Sequence, residues 1–170
     1  MQLIHTNICR PFPKQTHNGY KYFITFIDDF SRKATCFLIK TKNEALDTFR
    51  KYQARAERFT GQKIFCIHSD NGGVFRGLRF QKDLENTGIK VEFTNSHTPE
   101  ENGVAERYNC TACDGIKALL NSSSLSENFW GEALPTFTYC WNRSVHRHFK
   151  KTPFEIYGGF KPISCILKTV

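Results

Sequence analysis

No stretch of this chain is apolar over the roughly 18 residues that a membrane-spanning helix needs, and its N-terminus lacks the basic, apolar and small-residue order of a secretory signal. Membrane and exported classes are set aside, and a soluble, intracellular protein with no membrane partner is expected. Acidic residues are the minority: 16 Asp and Glu stand against 24 Lys and Arg, a formal charge of +8. That balance favours an anionic partner, with nucleic acid the commonest. There is no disulfide framework either, because the seven cysteines are odd in number and irregularly spaced, so mostly reduced thiols are expected. Cys110 and Cys113 have CxxC spacing, but no second CxxC completes a four-ligand zinc site, and the pair reads as neighbours on a helix. The 170 residues, 39% of them hydrophobic, supply one compact core and are too few for two full domains.

Hydrophobic patterning orders the elements. "QLIHTN" and "YKYFITFIDD" read as strands joined by the turn-rich "RPFPKQTHNG", and "ATCFLIK" follows closely enough to form a hairpin with the second. "TKNE" has the form of a capping box, and Leu46, Phe49, Gln53, Ala56 and Phe59 recur at helical spacing up to Gly61. "KIFCIHSD" is apolar without alternation, as a buried parallel strand would be, and ends in the abrupt turn "NGG". A short helix in "LRFQKDLENTG" stops at Gly88, "IKVEFT" makes a fifth strand, and "NSHTPEENG" is a loop expected to be mobile. Val104, Ala105, Tyr108, Ala112, Ile116 and Leu119 mark the buried side of a longer helix ended by "NSSSLS". A further helix, "ENFWGEALPTFTYCWNR", carries Trp130, Leu134, Phe137 and Trp141 on one side, and Pro135 is expected to bend it. The order β-β-β-α-β-α-β-α-α is an α/β layout, with residues 1–121 as the core and 122–170 as a helical extension packed on it.

One near-repeat stands out: "IHTN" at positions 4 to 7 and "IHSD" at 67 to 70. Two parallel strands that end in polar residues, followed by a helix with a glutamate near its start, bring Asn7, Asp70 and Glu106 to one sheet edge, where α/β sheets gather ligands. Between Asp70 and Glu106 lie 35 residues. Carboxylates so placed suit hard divalent cations of the kind used in two-metal phosphoryl transfer.

"HSDNGG" with Asp70, "TPEENGVAERYN" with Glu106, and "YFITFIDDFSR" resemble the integrase catalytic core of copia-type LTR retrotransposons, within the retroviral integrase superfamily. The likeness extends to "FWGEAL", "NRS" and "TPFEIYGGFKP", and so covers almost the whole chain. It implies a ribonuclease H-like fold with a five-stranded mixed sheet flanked by helices. It also implies a D,D(35)E site using Mg or Mn to join element DNA ends to target DNA, work in the nucleus, and a homodimer among the allowed assemblies. Asp70 corresponds to the second acidic ligand and Glu106 to the third.

The first differs. Where the family has "HTDxCGP" this chain reads "HTNICRP", with Asn7 at the aspartate position and Arg10 at the glycine. An amide is neutral and presents one good acceptor oxygen where a carboxylate presents two. Weakened metal binding and little strand transfer are therefore expected. Val74 stands where relatives usually carry glutamate, and Cys110 where they typically carry arginine. Asp28 and Asp29 do not replace the missing carboxylate. If Tyr20 lies beside Asn7, antiparallel pairing puts them about seven residues, roughly 20 Å, away, and they read as turn and cap residues. His5 and His68 read as packed or hydrogen-bonded strand histidines. Arg107, Asn109, Lys117, Arg143, Arg147, Lys150 and Lys151, with Lys63, are the candidate nucleic-acid contacts, directed at the backbone and not at base edges.

The chain begins on the first core strand, without the His and Cys zinc-binding module of full integrases, and ends soon after "GFKP". A fragment of a longer product, or a remnant, is expected. Two alternatives to a catalytic core are a non-enzymatic module that kept the fold to bind nucleic acid or protein, and a zinc module built on Cys110, Cys113 and nearby histidines.

Overall fold

The computed structural model describes residues 3–70, 73–93, 103–146 and 149–162. The elements are β1 (Leu3–Ile8), β2 (Tyr22–Asp28), β3 (Ala34–Ile39), α1 (Ala45–Thr60), β4 (Cys66–Ser69), α2 (Leu78–Asn86), β5 (Lys90–Phe93), α3 (Gly103–Ser122), α4 (Trp130–Arg143) and α5 (Pro153–Gly158). Short connections make β1, β2 and β3 neighbouring antiparallel strands. The connections through α1 and α2 instead set β4 parallel to β1, and β5 parallel to β4. The result is a mixed five-stranded sheet in the order β3-β2-β1-β4-β5, as the sequence led us to expect.

Alternation along β2 divides the interior in two. Ile24 and Phe26 face α1 and α2, packing with Ile4, Phe49, Tyr52, Ile67 and Leu84. Phe23 and Ile27 face α3 and α4, packing with Tyr108, Ile116, Trp130 and Leu134. Each helix is held by an amphipathic face against one side of the sheet.

The capping box at Thr41 and Glu44 is present, although it opens a 3-10 turn (Lys42–Glu44) that leads into α1. α1 ends at Gly61, which takes the left-handed φ of +68° that a side chain resists. Its buried face differs from the expected one by a residue: Tyr52, not Gln53, stacks on Phe26 with ring centroids 4.5 Å apart. Phe59 is 50% exposed and stacks on Tyr157 of α5. α5 itself was not anticipated, although Thr152, Pro153 and Glu155 form a full capping box with Pro at the helix start. α4 continues through Pro135, whose exposed position leaves the missing donor at the surface.

α4 is fastened to the sheet edge by Asn142. Its Nδ2 donates to the Ala34 carbonyl at 2.8 Å, and its Oδ1 accepts from the Ala34 N–H at 2.9 Å. Asn142→Ala leaves both buried backbone groups unpaired and should cost about 2–3 kcal/mol, read as a lower urea midpoint at unchanged m-value. A loss below about 0.5 kcal/mol would show that water replaces the side chain. α3 and α4 approach closely at Gly115, where an added Cβ would sit 2.3 Å from the Phe137 ring. Gly115→Ala should therefore destabilise by about 1–3 kcal/mol through overpacking, despite alanine's advantage of about 1 kcal/mol in helix propensity. A stabilised variant in the same urea titration would contradict that contact.

Candidate active site

β1 and β4 run parallel with His5 beside His68 and Thr6 beside Ser69. The next step of that register sets Asn7 beside Asp70, the first residue beyond β4, with strands about 4.8 Å apart. Across β1 on the other side, Asn7 lies opposite Thr25 of β2. The Thr25 hydroxyl donates to Asn109 Oδ1 of α3 at 2.8 Å. This buried bond pins α3 to the face of the sheet that Asn7 shares with Thr25. Glu106, in the first turn of α3 and exposed, stands three residues before Asn109, about 4.5 Å along the helix axis. Asn7 is 9% exposed and Asp70 is half-buried.

The two aspartates at the end of β2 occupy another place. Asp28 lies opposite Ile4, three residues from Asn7. The pairing is thus displaced from the expected one, in which Tyr20 was the neighbour of Asn7, and the separation along the strand is about 10 Å, half the distance anticipated. Alternation turns Asp28 to the opposite face from Asn7. There its Oδ2 accepts from the Ser31 N–H at 2.9 Å and the Ser31 hydroxyl at 2.6 Å, which makes it a turn residue. Asp29 accepts from Arg32 Nη1 at 2.9 Å and pairs with His5 Nε2 at 2.9 Å.

His5 and His68 stack with ring centroids 5.4 Å apart and planes at 21°. Burial pushes the His5 pKa below its ordinary value, against the opposing pull of Asp29. Below the ordinary histidine pKa of about 6.5 the unfolded chain therefore takes up a proton that folded His5 still refuses. Stability from this group is complete above that pH and is lost as pH falls toward the depressed value. Thermal melts between about pH 8 and pH 5 should show the midpoint falling on the acid side, with a shallower fall in His5→Asn. Parallel curves would remove His5 as a source of acid sensitivity.

The expected nucleic-acid contacts divide. Arg107, Lys117, Lys150 and Lys151 are exposed. Arg107 Nε donates to the Gly103 carbonyl at 3.2 Å, and Lys117 pairs with Asp114 at 3.7 Å. Lys63, also exposed, pairs with Glu57 at 2.7 Å. Arg143 is drawn inward, its guanidinium 3.6 Å from the Tyr139 ring centroid and 4.9 Å from that of Phe154. Asn109 does not present its carboxamide to solvent: it is buried, and it holds α3 on Thr25. Arg147 lies outside the described residues, as do most of "NSHTPEENG" and the first two residues of "NGG". Val74 packs against the α1-side core, while Arg10 and Cys110 are exposed.

Among the described residues no three His, Cys, Asp or Glu side chains converge where they could share an ion. Cys113 faces Cys9 across the helix–sheet contact, the sulfurs 3.6 Å apart, and Cys110 points to solvent. Sequence reasoning missed this pair, and also the Thr25–Asn109 anchor. The available signal for the anchor was a lone threonine among the apolar residues of "YFITFID". No helix among the described residues is long and apolar enough to cross a membrane.

Residues 1–99 match the family model of the integrase core domain. The chain is 40% identical over 144 residues to the retrovirus-related Pol polyprotein from transposon TNT 1-94 of Nicotiana tabacum, an alignment covering 85% of this chain and 11% of the polyprotein. It is 30% identical over 151 residues to the Pol polyprotein from transposon RE1 of Arabidopsis thaliana, covering 88% of this chain and 10% of that one. The chain thus spans about a tenth of the length of these relatives. In fold it is similar to a chain of the simian T-cell lymphotropic virus intasome in complex with PP2A regulatory subunit B56 gamma, with TM-score 0.76 at 19% identity over 99% of this chain and 60% of the other. The HTLV-2 integrase catalytic core domain in complex with magnesium, in its trimeric form, gives TM-score 0.67 at 18% identity over 92% of this chain and 95% of the other. With a ribonuclease H-like sheet, an integrase match over more than half its length and close likeness to plant retrotransposon polyproteins, the chain belongs to the integrase core domain family.

Proposed function

We propose that this chain is the catalytic-core portion of a retrotransposon integrase that binds DNA, and that metal-dependent polynucleotidyl transfer is impaired in it by Asn7. The observation that carries this reading is the β1–β4 register, which leads to an amide beside Asp70 where the family has a carboxylate. Glu106, one turn before the Asn109 anchor, completes the set.

The donor chemistry decides what the site can hold. Asp70 and Glu106 are hard oxygen donors suited to Mg²⁺ or Mn²⁺, and Asn7 adds one neutral oxygen. That set fits a single, weakly held divalent cation and does not fit a pair of ions bridged by a carboxylate. A bound cation supplies charge stabilisation at a phosphoryl oxygen and acidifies an attacking hydroxyl. The chain's own contribution is positional. Thr25 and Asn109 hold α3, and with it Glu106, over the strand ends, while Arg107, Lys117, Lys150 and Lys151 neutralise backbone phosphates without reading sequence. Residues 122–170 serve as a helical extension of a core at 1–121, a reading supported by the clasp of Asn142 on Ala34. DNA ends and target DNA are the partners, in the nucleus, with a second copy of the chain as an allowed partner.

The test is duplex binding in EDTA and in Mn²⁺ across a salt series. Affinity should fall steeply with salt in both, and replacing Arg107, Lys117, Lys150 and Lys151 with alanine together should reduce the salt slope. Absence of binding at low salt would overturn the nucleic-acid reading. A second reading, a non-enzymatic DNA-binding module, is favoured by Asn7 itself. Metal-independent binding combined with no joining by Asn7→Asp would select it.

A further inference from the structure

The contact between Cys9 and Cys113 is not used by the site described above. Cys9 follows the end of β1, two residues after Asn7, and Cys113 lies on α3, seven residues after Glu106. Both thiols are half-buried, with sulfurs 3.6 Å apart, and 104 positions separate them in sequence. The sulfurs need approach by only about 1.5 Å to reach bonding distance, within the reach of side-chain rotation. Cys110, the other cysteine of the CxxC pair, is exposed one turn earlier on α3.

We propose that Cys9 and Cys113 are a reversible oxidative modification site, at which a peroxide or a small-molecule disulfide converts the two thiols to a disulfide that staples β1 to α3. With hydrogen peroxide, the Cys113 thiolate attacks one peroxide oxygen and displaces hydroxide, which leaves as water after taking a proton. The resulting sulfenic sulfur is attacked by the Cys9 sulfur, the new S–S bond forms, and the displaced hydroxide takes the Cys9 proton to leave as a second water. Two thiols and one peroxide give one disulfide and two waters; the sulfurs are oxidised by two electrons in all and the peroxide oxygens reduced by two. A small-molecule disulfide reaches the same product by two successive exchanges, releasing two thiols. Cys113 is suited to the first attack. The hydrogen bond from Cys9, and after it the charge of Lys117, favour its thiolate and lower its pKa. The staple joins the strand that carries Asn7 to the helix that carries Glu106, so oxidation fixes the candidate site's two sides against each other.

The experiment treats the whole chain with one equivalent of hydrogen peroxide, blocks remaining thiols, digests with trypsin and maps linked peptides by mass spectrometry. Trypsin does not cut the Arg10–Pro11 bond, so Cys9 falls in the peptide 1–14, and Cys110 and Cys113 share the peptide 108–117. The linked pair should appear in the native chain, persist in Cys110→Ser at an exposed position, vanish in Cys113→Ser and disappear on reduction. The oxidised Cys110→Ser chain should also melt higher than its reduced form by at least about 5 °C. Loss of the linked pair in Cys110→Ser, its persistence in Cys113→Ser, oxidation spread over the other cysteines, or a link that lowers the melting point would each overturn the assignment. No DNA or metal enters this readout, so its failure is separable from failure of the nucleic-acid reading.

Discussion

Asn7→Asp is expected to raise Mn²⁺-dependent joining of DNA ends by at least about 100-fold over the native chain, the scale on which a single transition-state stabiliser acts. The native amide provides one neutral oxygen at the position where the β1–β4 register continues to Asp70, the first residue beyond β4. The carboxylate provides the charge and the second acceptor that a shared ligand needs. The substitution is nearly isosteric, so it changes charge with little change of shape at a 9%-exposed position opposite Thr25. Two further results should accompany the gain. Asp70→Asn or Glu106→Gln in the Asn7→Asp background should abolish it. Without divalent cation, the new carboxylate beside Asp70 should lower the melting temperature, and Mn²⁺ should restore it, because like charges in one site repel until a cation bridges them. Equal joining by the native chain and Asn7→Asp would remove the claimed defect.

Trp130→Ala should cost about 3–5 kcal/mol, a large share of the roughly 5–15 kcal/mol that stabilises a domain of this kind. Trp130 is 1% exposed at the start of α4, and its ring stacks on Phe12 with centroids 4.1 Å apart and planes at 4°. Its indole Nε1 donates to the Lys14 carbonyl at 2.9 Å. One side chain thus fills the α3–α4 side of the core and ties down the loop between β1 and β2. Trp130→Phe keeps an aromatic ring there and removes the hydrogen bond, so about 1–2 kcal/mol is expected. Urea unfolding of both variants measures the difference. A Trp130→Ala loss under about 1 kcal/mol would mean that the loop and α4 are held by other contacts.

Much of the candidate site could be read from the chain because its residues sit at the ends of strongly patterned segments. The apolar run before Asp70 marked a buried parallel strand, and the 3.6-residue spacing after Val104 placed Glu106 at a helix start. The unread parts depended on contacts between distant positions. Asn109 was counted among the DNA contacts, yet its partner Thr25 lies 84 residues earlier. Cys113 was grouped with Cys110 by spacing alone, whereas helix geometry sends Cys113 to the sheet and leaves Cys110 outside. Arg143 counted as a free cation until the structure stacked it on Tyr139 and Phe154. The face of α1 slipped because Gln53 was read into a stripe whose buried member is Tyr52, and Phe59 found its partner on α5. α5 was legible in principle: threonine, proline and glutamate in capping order are a local signal that needs no tertiary contact.

The most direct test of the account is a calorimetric titration of the native chain and Asn7→Asp with Mn²⁺, since the central claim concerns how many ions this donor set can hold. The account predicts one weak ion at Asp70 and Glu106 for the native chain, and a second ion with at least about 10-fold tighter overall binding for Asn7→Asp. Two ions bound by the native chain, as tightly as by Asn7→Asp, would contradict it.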